Sequence, residues 1–395
     1  MKYSKLVERI SGDGADAWIT HYAATAARAA GEDVIILSVG DPEFDTPRPV
    51  VDCAIESLRS GDTHYTEVAG RGRLRAAIAA IHRRRSGQAV EAHNVIFLAG
   101  AQNALFTASL CIAGPGDEVI AFEPLYPTYP ATIEASGARM VRVAAPAASG
   151  FRPDLKALAA AVNERTRAIF FATPNNPSGA IIGAEDMSAI GELARRHDLW
   201  VVADEVYAGL APGGKVPSLA ATLPDRVITV GSLSKSHAMP GWRAGWLVGP
   251  TELVSYAEAL AICMLYGLPG FVQEAALTAL GIATQAEERM RDFCRTRLEI
   301  ALRELAGAPG LRCTAPDAGM FLLIDVRGTA MSGFEFMTEL FRTERVSVLD
   351  GGAFGAGTAG FVRLFFATDE ATLREGCLRI RRFASLKTAQ VRRKA

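Results

Sequence analysis

Short apolar segments alternate with segments of helical period through the middle of the chain, and this alternation constrains the fold more than any other feature. Each apolar run is bounded by Gly, Pro or Asp, as expected of strands buried on both faces. Helical patterns lie between several runs, at 101–113, 154–163 and 184–197. Strands that alternate with helices predict an α/β fold with a mostly parallel sheet. The predicted strands are 95–100, 118–122, 139–144, 168–173, 199–204, 226–231 and 244–249.

The composition argues against several classes of protein. With 42 Lys and Arg against 43 Asp and Glu, the formal net charge is −1, which does not favour a nucleic-acid binder. No apolar run is long enough to predict a transmembrane helix, and residues 1–18 contain no apolar segment of a secretory signal. The cysteines and histidines show no metal-binding spacing. We therefore expect a cytoplasmic enzyme without a metal site.

The pattern changes near residue 285, where a long amphipathic helix begins. We predict a large domain over 46–285 and a small α+β domain over 286–395. Residues 1–45 are expected to form an arm that packs on the small domain. The other predicted elements of the small domain are strands at 320–326, 346–349 and 361–366 and a terminal helix at 369–385.

Polar side chains follow four of the predicted strands at the points where those strands end. Because ligands bind beyond the carboxyl ends of strands in open α/β sheets, we expect these side chains to share one site. In chain order they are Gly100, Ala101 and Gln102 at a helix start, then Asn176, Asp204, Tyr207, Ser232, Ser234, Lys235 and, eight residues later, Arg243.

This set of groups suits pyridoxal 5'-phosphate. Backbone N–H groups at a helix start, together with hydroxyls and an arginine, bind a phosphate. Asp204 can hold a ring nitrogen protonated, while the Tyr207 phenol and the Asn176 amide can hydrogen-bond a ring oxygen. Lys235 can form a Schiff base with an aldehyde. The sequence therefore predicts a pyridoxal-phosphate enzyme with Lys235 as the covalent anchor and Asp204 as the support of the electron sink.

The segment SLSKSHAMPGWRAG at 232–245 resembles the lysine motif of the class I aminotransferases, which belong to the fold type I pyridoxal-phosphate enzymes. The resemblance runs essentially end to end. It implies a large domain with a mostly parallel seven-stranded sheet and a small α+β domain. The resemblance also implies roles for single residues. Gly40 would lie in the glycine loop over the substrate, Tyr65 at the neighbouring subunit's phosphate and Tyr126 on the cofactor ring. Asn176 and Tyr207 would contact the ring oxygen, with Asn176 also near the substrate, and Arg363 would bind the substrate α-carboxylate.

The same resemblance implies ping-pong transamination in a homodimer with shared active sites, since Tyr65 acts across the interface. An amino acid displaces Lys235, which then moves the proton between the substrate α-carbon and the cofactor as general acid and base. The ketoacid leaves, and a second 2-oxo acid takes up the amino group. Asp204 and Tyr207 complete the catalytic set, and a cationic neighbour such as Arg243 implies a depressed pKa for Lys235.

Segments outside the general motifs, among them 82–90 and 263–267, resemble the arginine–pyruvate aminotransferases of bacterial arginine catabolism. They favour L-arginine as amino donor and pyruvate as acceptor. A guanidinium substrate is expected to meet an acidic or aromatic contact. Asp16 and Trp18 in the arm, or Glu67 near Tyr65, are the candidates.

Other interpretations of the motifs stay open. Aspartate- or aromatic-specific transamination and a β-lyase reaction use the same lysine, and departures from the family pattern at 350–355 and 364–367 leave the substrate unsettled. Residues 232–235 also fit the S-x-x-K of serine hydrolases, but S-D-N is absent and the nearest match to K-T-G lies at 387–389. Residues 12–17 fit a loose dinucleotide-binding pattern, although no predicted strand precedes them.

Overall fold

The structure is a computed structural model that describes residues 2–10 and 18–394. Asp16 and the glycine pattern at 12–17, both singled out above, lie outside these described residues. None of the helices in the described ranges combines the length and the apolar character that crossing a bilayer requires.

The strands and helices alternate over the middle of the chain. The strands are β1 (Ile35–Ile36), β2 (Val95–Ala99), β3 (Glu118–Glu123), β4 (Arg139–Ala144), β5 (Thr166–Ala172), β6 (Trp200–Asp204), β7 (Val227–Ser232), β8 (Ala244–Val248), β9 (Arg312–Cys313), β10 (Phe321–Asp325), β11 (Val346–Ser347), β12 (Leu349–Asp350) and β13 (Phe361–Phe365). The helices are α1 (Lys5–Ile10), α2 (Ile19–Ala29), α3 (Arg48–Arg59), α4 (Gly72–Ser86), α5 (Ala101–Ile112), α6 (Tyr129–Glu134), α7 (Leu155–Ala161), α8 (Ala184–Arg196), α9 (Thr251–Met264), α10 (Gly270–Gly281), α11 (Ala283–Leu305), α12 (Gly333–Glu344) and α13 (Glu370–Lys394).

The central sheet has seven strands in the order β2-β8-β7-β6-β5-β3-β4. Strand β8 is antiparallel to both of its neighbours, and the other pairings are parallel. The predicted α/β fold with a mostly parallel seven-stranded sheet is therefore confirmed.

Both faces of this sheet are buried, which explains why its strands are continuous apolar runs. In β5, Ile169 and Phe171 belong to one hydrophobic core and Phe170 to the core on the opposite face. In β6, Val201 and Val202 divide between the same two cores. Because successive side chains of a strand point to opposite faces, a sheet covered on both sides needs apolar residues at every position.

One edge of the central sheet carries the functional segments. Parallel strands β2, β5, β6 and β7 end at this edge, and antiparallel β8 begins there. Ala99 at the end of β2 pairs with Ala244, and Ser232 at the end of β7 pairs with Gly245. The antiparallel strand thus delivers Arg243, the residue just before it, to the same edge as the ends of the parallel strands.

The carboxyl-terminal part of the chain forms a second layer. Strands β12, β13, β10 and β9 make an antiparallel sheet, and its core includes Met290 of α11, Phe336 of α12 and Ile380 of α13. Strand β1 pairs in parallel with β11, and Thr20 Oγ1 donates a hydrogen bond to the Val348 carbonyl at 3.3 Å.

Two expectations for this layer are wrong in detail. The strand predicted at 346–349 is two short strands, because β11 pairs with β1 while β12 pairs with β13, and buried Val348 lies between the two sheets. The terminal helix continues from 370 to Lys394 rather than ending at 385. Residues 386–394 contain no Pro or Gly to end it, and Thr388 Oγ1 donates to the Ala384 carbonyl at 2.9 Å.

Candidate active site

A cavity of ≈ 220 Å³ opens at the functional edge of the central sheet. It gathers all but two of the site residues predicted from the sequence. Gly100 lies next to the cavity, and Tyr65 lies elsewhere on the surface. The predicted residues that line it are Gly40, Ala101, Gln102, Tyr126, Asn176, Asp204, Tyr207, Ser232, Ser234, Lys235, Arg243 and Arg363.

One end of the cavity offers free donors at the start of α5. Gly100 precedes this helix with φ +83°, and no side chain caps the first turn. Ser232 Oγ donates to Ser234 Oγ at 2.7 Å, and Ser234 N donates to Ser232 Oγ at 3.0 Å. Uncapped N–H groups at a helix start, with hydroxyls beside them, suit an anionic ligand.

Arg243 completes this end of the cavity. Its Nη1 donates to the Pro240 carbonyl at 2.7 Å and its Nη2 to the Ala99 carbonyl at 3.2 Å. A Cβ added at Gly245 would lie 2.6 Å from Ala101 N. Only glycine at this position lets β8 approach the first turn of α5, so the arginine and the helix start share one anion pocket.

A buried carboxylate forms the floor of the cavity. Asp204 is 6% exposed; its Oδ2 accepts the Tyr129 hydroxyl at 2.6 Å, and its Oδ1 accepts Val206 N at 3.2 Å. Burial raises the pKa of Asp204 to about 6, although both hydrogen bonds act to lower it. No cation among the described residues pairs with it. A protonated ring nitrogen would supply the missing positive charge.

Tyr129 is a residue of the candidate site that the sequence did not predict. It is fully buried, lines the cavity and fixes the orientation of the Asp204 carboxylate. Burial, followed by the nearby Asp204 charge, raises its pKa well above the usual value, so it stays a hydrogen-bond donor. Its spacing of three residues from Tyr126, at the start of α6, was the available signal.

Tyr207, Asn176 and the aromatic ring of Tyr126 form one wall of the cavity. Burial raises the pKa of Tyr207, although the nearby Asn176 side chain acts to lower it. Tyr126 packs edge-on against Tyr129, with ring centroids 6.1 Å apart. A phenol and an amide that face the same cavity can both hydrogen-bond an oxygen on a ring lying between them.

Lys235 extends into the middle of the cavity. Its Nζ donates to the Gly40 carbonyl at 2.6 Å. Burial lowers the pKa of Lys235 to about 8; nearby Asp41 opposes this effect, and Arg363 and Arg243 add to it. A lysine with this pKa can give up and take up a proton near neutral pH.

Arg363 is a buried cation with no anionic partner among the described residues. It is 2% exposed; its Nη1 donates to Asn176 Oδ1 at 2.8 Å and its Nη2 to the Ser38 carbonyl at 2.7 Å. Its Nε has no partner, and its guanidinium lies 4.0 Å from the Phe321 ring centroid. Burial lowers its pKa to about 10. A carboxylate entering the cavity would offset this desolvation.

The three candidates for a guanidinium contact are placed differently. Trp18 lines the cavity. Glu67 is exposed and does not line it, and Asp16 lies outside the described residues. Tyr65 is 85% exposed and packs edge-on against Tyr266, with centroids 5.0 Å apart, so within its own chain it does not reach the cavity.

The donor set fits pyridoxal phosphate at every polar end of that molecule. The uncapped helix start with Arg243 suits the phosphate, unpaired Asp204 suits the ring nitrogen, and Tyr207 with Asn176 suits the ring oxygen. Lys235 lies in the same cavity. Together with the mostly parallel seven-stranded sheet, this site defines a fold type I pyridoxal-phosphate enzyme.

Comparison with known proteins specifies the class further. The family model for aminotransferase class I and II matches residues 32–380. The chain belongs to this family and is a pyridoxal-phosphate-dependent aminotransferase, which uses an amino acid and a 2-oxo acid as substrates.

The relatives agree with this assignment. The chain is 49% identical over 383 residues to the arginine–pyruvate transaminase AruH of Pseudomonas aeruginosa, covering 96% of this chain and 97% of that protein. It is 32% identical to an aspartate aminotransferase of Bacillus subtilis over 90% of this chain and 92% of that protein. A solved structure of Thermus thermophilus aspartate aminotransferase with maleate matches with a TM-score of 0.91 and 32% identity, over 97% of this chain and 100% of that one.

Proposed function

We propose that this aminotransferase moves the α-amino group of L-arginine to pyruvate, in a cytoplasmic pathway of arginine breakdown. Transamination is supported by buried Arg363, which lacks an anionic partner among the described residues and lines the same cavity as Lys235. The choice of arginine and pyruvate rests on the 49% identity to AruH, whose name gives this substrate pair.

In the proposed mechanism, Arg363 binds the substrate α-carboxylate and so orients the α-carbon toward Lys235. Neutral Lys235 accepts the proton from that carbon, and its lowered pKa of about 8 leaves about half of it neutral at pH 8. When bound, pyridoxal phosphate supplies an aldehyde that takes up amino groups and a ring that withdraws electrons. Asp204, ionised and held by Tyr129, keeps a proton on the ring nitrogen.

We assign the remaining contacts to the cofactor in the same way. The α5 start next to Gly100 and Arg243 would hold the phosphate, and Asn176 and Tyr207 would hold the ring oxygen. Gly40, whose carbonyl holds Lys235 Nζ, covers the substrate. Further proposed contacts are the backbone of Ala101 and Gln102 and the hydroxyls of Ser232 and Ser234 at the phosphate, and Tyr126 against the ring.

We further propose a homodimer in which Tyr65 of the partner subunit contacts the phosphate. Tyr65 is exposed and does not line the cavity of its own chain, which supports this role. Within each subunit, the proposed division is a large domain over 46–285, a small domain over 286–395 and an arm over 1–45. Pairing of β1 with β11 supports packing of the arm on the small domain.

The absorption spectrum of the purified protein tests the substrate pair. We expect the visible band of the bound cofactor to fade when L-arginine is added and to return with pyruvate. The Lys235→Ala variant should not complete this cycle, and Lys215→Ala, a lysine outside the cavity, is the matched control. A band that ignores L-arginine but responds to L-aspartate or L-tyrosine would replace arginine by those donors.

A further inference from the structure

Among the residues that the structure describes, the cavity offers a guanidinium side chain no free acidic partner. Among the described residues that line it, the only carboxylate is Asp204. That carboxylate already accepts hydrogen bonds from Tyr129 and Val206, and it is assigned to the ring nitrogen. If L-arginine is the amino donor, as proposed above, another group has to distinguish its charged end from a neutral or acidic one.

Trp18 is the lining residue whose chemistry fits this task. It directly precedes α2 and is half-buried, and it lines the cavity together with Val39 and Gly40. Its one ring contact among the described residues is edge-on to His21, with centroids 5.8 Å apart and planes at 80°. The described part of the chain places no cation over the indole and gives its N–H no acceptor. The indole is therefore available to bind a cation of the substrate.

A continuous set of contacts ties this indole to the proposed carboxylate clamp. Trp18 contacts His21, and His21 Nδ1 lies 3.0 Å from Ser38 Oγ. The Ser38 carbonyl accepts Arg363 Nη2 at 2.7 Å, while Ser347 Oγ donates to Ser38 Oγ at 3.0 Å. The two ends of the substrate site, Arg363 for the carboxylate and Trp18 for the side chain, are therefore joined through residue 38.

We propose that the Trp18 indole is the specificity-determining contact for a guanidinium side chain, by a cation–π interaction. The negative face of the ring attracts a cation electrostatically, interacts with a neutral end of the same shape only through packing, and disfavours a carboxylate. The proposal rests on arginine being the donor. The arm would then contribute to substrate specificity through Trp18 and not to the chemical step.

The test compares L-arginine with L-citrulline, which has the same length but a neutral end. We expect Trp18→Leu to reduce the arginine-to-citrulline ratio of kcat/KM by about 3- to 30-fold, and Trp18→Phe to retain part of the preference. Because both substrates share everything except the charge, the ratio cancels a general loss of activity. Calorimetric binding of 5-guanidinopentanoate against 5-ureidopentanoate, which lack the α-amino group, should show the same change without turnover.

Two further variants make the outcome decisive. Tyr22→Leu removes another aromatic ring of α2 that contacts His21 but does not line the cavity, and it should keep the wild-type ratio. Asp41→Asn removes an acid that acts on Lys235 from outside the lining. If Asp41→Asn abolishes the arginine preference while Trp18→Leu preserves it, the proposal is wrong. Arginine turnover with an unchanged ratio in Trp18→Leu overturns only the Trp18 assignment, whereas a wild-type protein that ignores L-arginine overturns the proposed function as well.

Discussion

At the scale of single residues, the site contains buried charged groups that have no oppositely charged partner among the described residues. Burial shifts the pKa of Asp204 up, and those of Lys235 and Arg363 down, so each group is pushed toward its neutral form. A ligand with a cationic ring nitrogen, an aldehyde and a carboxylate offsets these desolvation costs one by one. The protein is thus less stable locally than it would be with apolar residues at these positions, and the difference is recovered when the ligand binds.

The Asp204→Asn variant should make the cofactor-free protein more stable at neutral pH and at the same time weaken cofactor binding. The pKa of Asp204 in the folded protein, about 6, lies above its ordinary value of 3.8. The folded state therefore holds this proton more tightly, and the stability that results is present in acid and lost as the pH rises toward 6. Relative to wild type, the cofactor-free variant should gain up to about 3 kcal/mol between pH 4 and pH 7, while its affinity for pyridoxal phosphate falls. Urea unfolding at several pH values measures the first effect, and cofactor titration the second.

The control for this prediction is Asp52→Asn, which changes an exposed acid of α3 paired with Arg48. Its unfolding curves should follow those of wild type at each pH. A stability difference between Asp204→Asn and wild type that does not change with pH would show that burial leaves the Asp204 carboxyl with an ordinary pKa.

Arg363→Met should weaken every ligand that carries the α-carboxylate. Methionine keeps an apolar stem against Phe321 but removes the cation, so we expect Kd for 5-guanidinopentanoate and KM for L-arginine to rise about 30-fold or more. Binding of agmatine, which is arginine without the carboxylate, should change little. Exposed Arg342 of α12 provides the control variant, Arg342→Met. Equal losses for agmatine and 5-guanidinopentanoate would contradict the clamp.

At the scale of elements, the site depends on the close approach of β8 to the first turn of α5. Gly245→Ala would place a methyl group 2.6 Å from Ala101 N and force the two elements apart. Overpacking of this kind costs about 1–3 kcal/mol. Because the displaced helix start forms the proposed phosphate pocket, affinity should fall more for pyridoxal phosphate than for pyridoxal, as measured by titration of each. Gly249→Ala, which crowds Leu253 beyond the other end of β8, should affect the two ligands equally.

The elements of the central sheet could be predicted closely because each is a local pattern. Strand β4 begins and ends at the predicted residues, and α5 begins at Ala101 as expected. The split of 346–349 into β11 and β12 could not be predicted, since it depends on two different partner strands, β1 near the amino end of the chain and β13 just downstream. The antiparallel direction of β8 likewise follows from how the chain returns to the sheet rather than from its composition.

At the scale of the whole molecule, the position of a residue at the cavity could be predicted wherever a motif fell at a strand end or resembled a known family, as for Lys235, Asp204 and Arg363. Tyr129 was missed because its role is a hydrogen bond to a residue 75 positions away, which no local pattern encodes. The place of Trp18 in the cavity depends similarly on the docking of α2 against the layer that contains Val348.

The proposed dimer would share its active sites between two chains. Tyr65 is exposed, and α3 and α9 also expose large apolar side chains, including Leu58 and Tyr256, which suits burial against a second copy. If Tyr65 serves the partner's cavity, a mixed dimer of Lys235→Ala and Tyr65→Ala subunits contains one site with both residues intact. At limiting pyridoxal phosphate, mixing the two variants under exchange conditions should therefore produce more activity than either alone. Light scattering should give twice the chain mass of 42.0 kDa. A monomer, or a mixed dimer that gains no activity, would place Tyr65 outside the site. As the control, Lys235→Ala mixed with Arg342→Met, which keeps both site residues, should give no more activity than Arg342→Met alone.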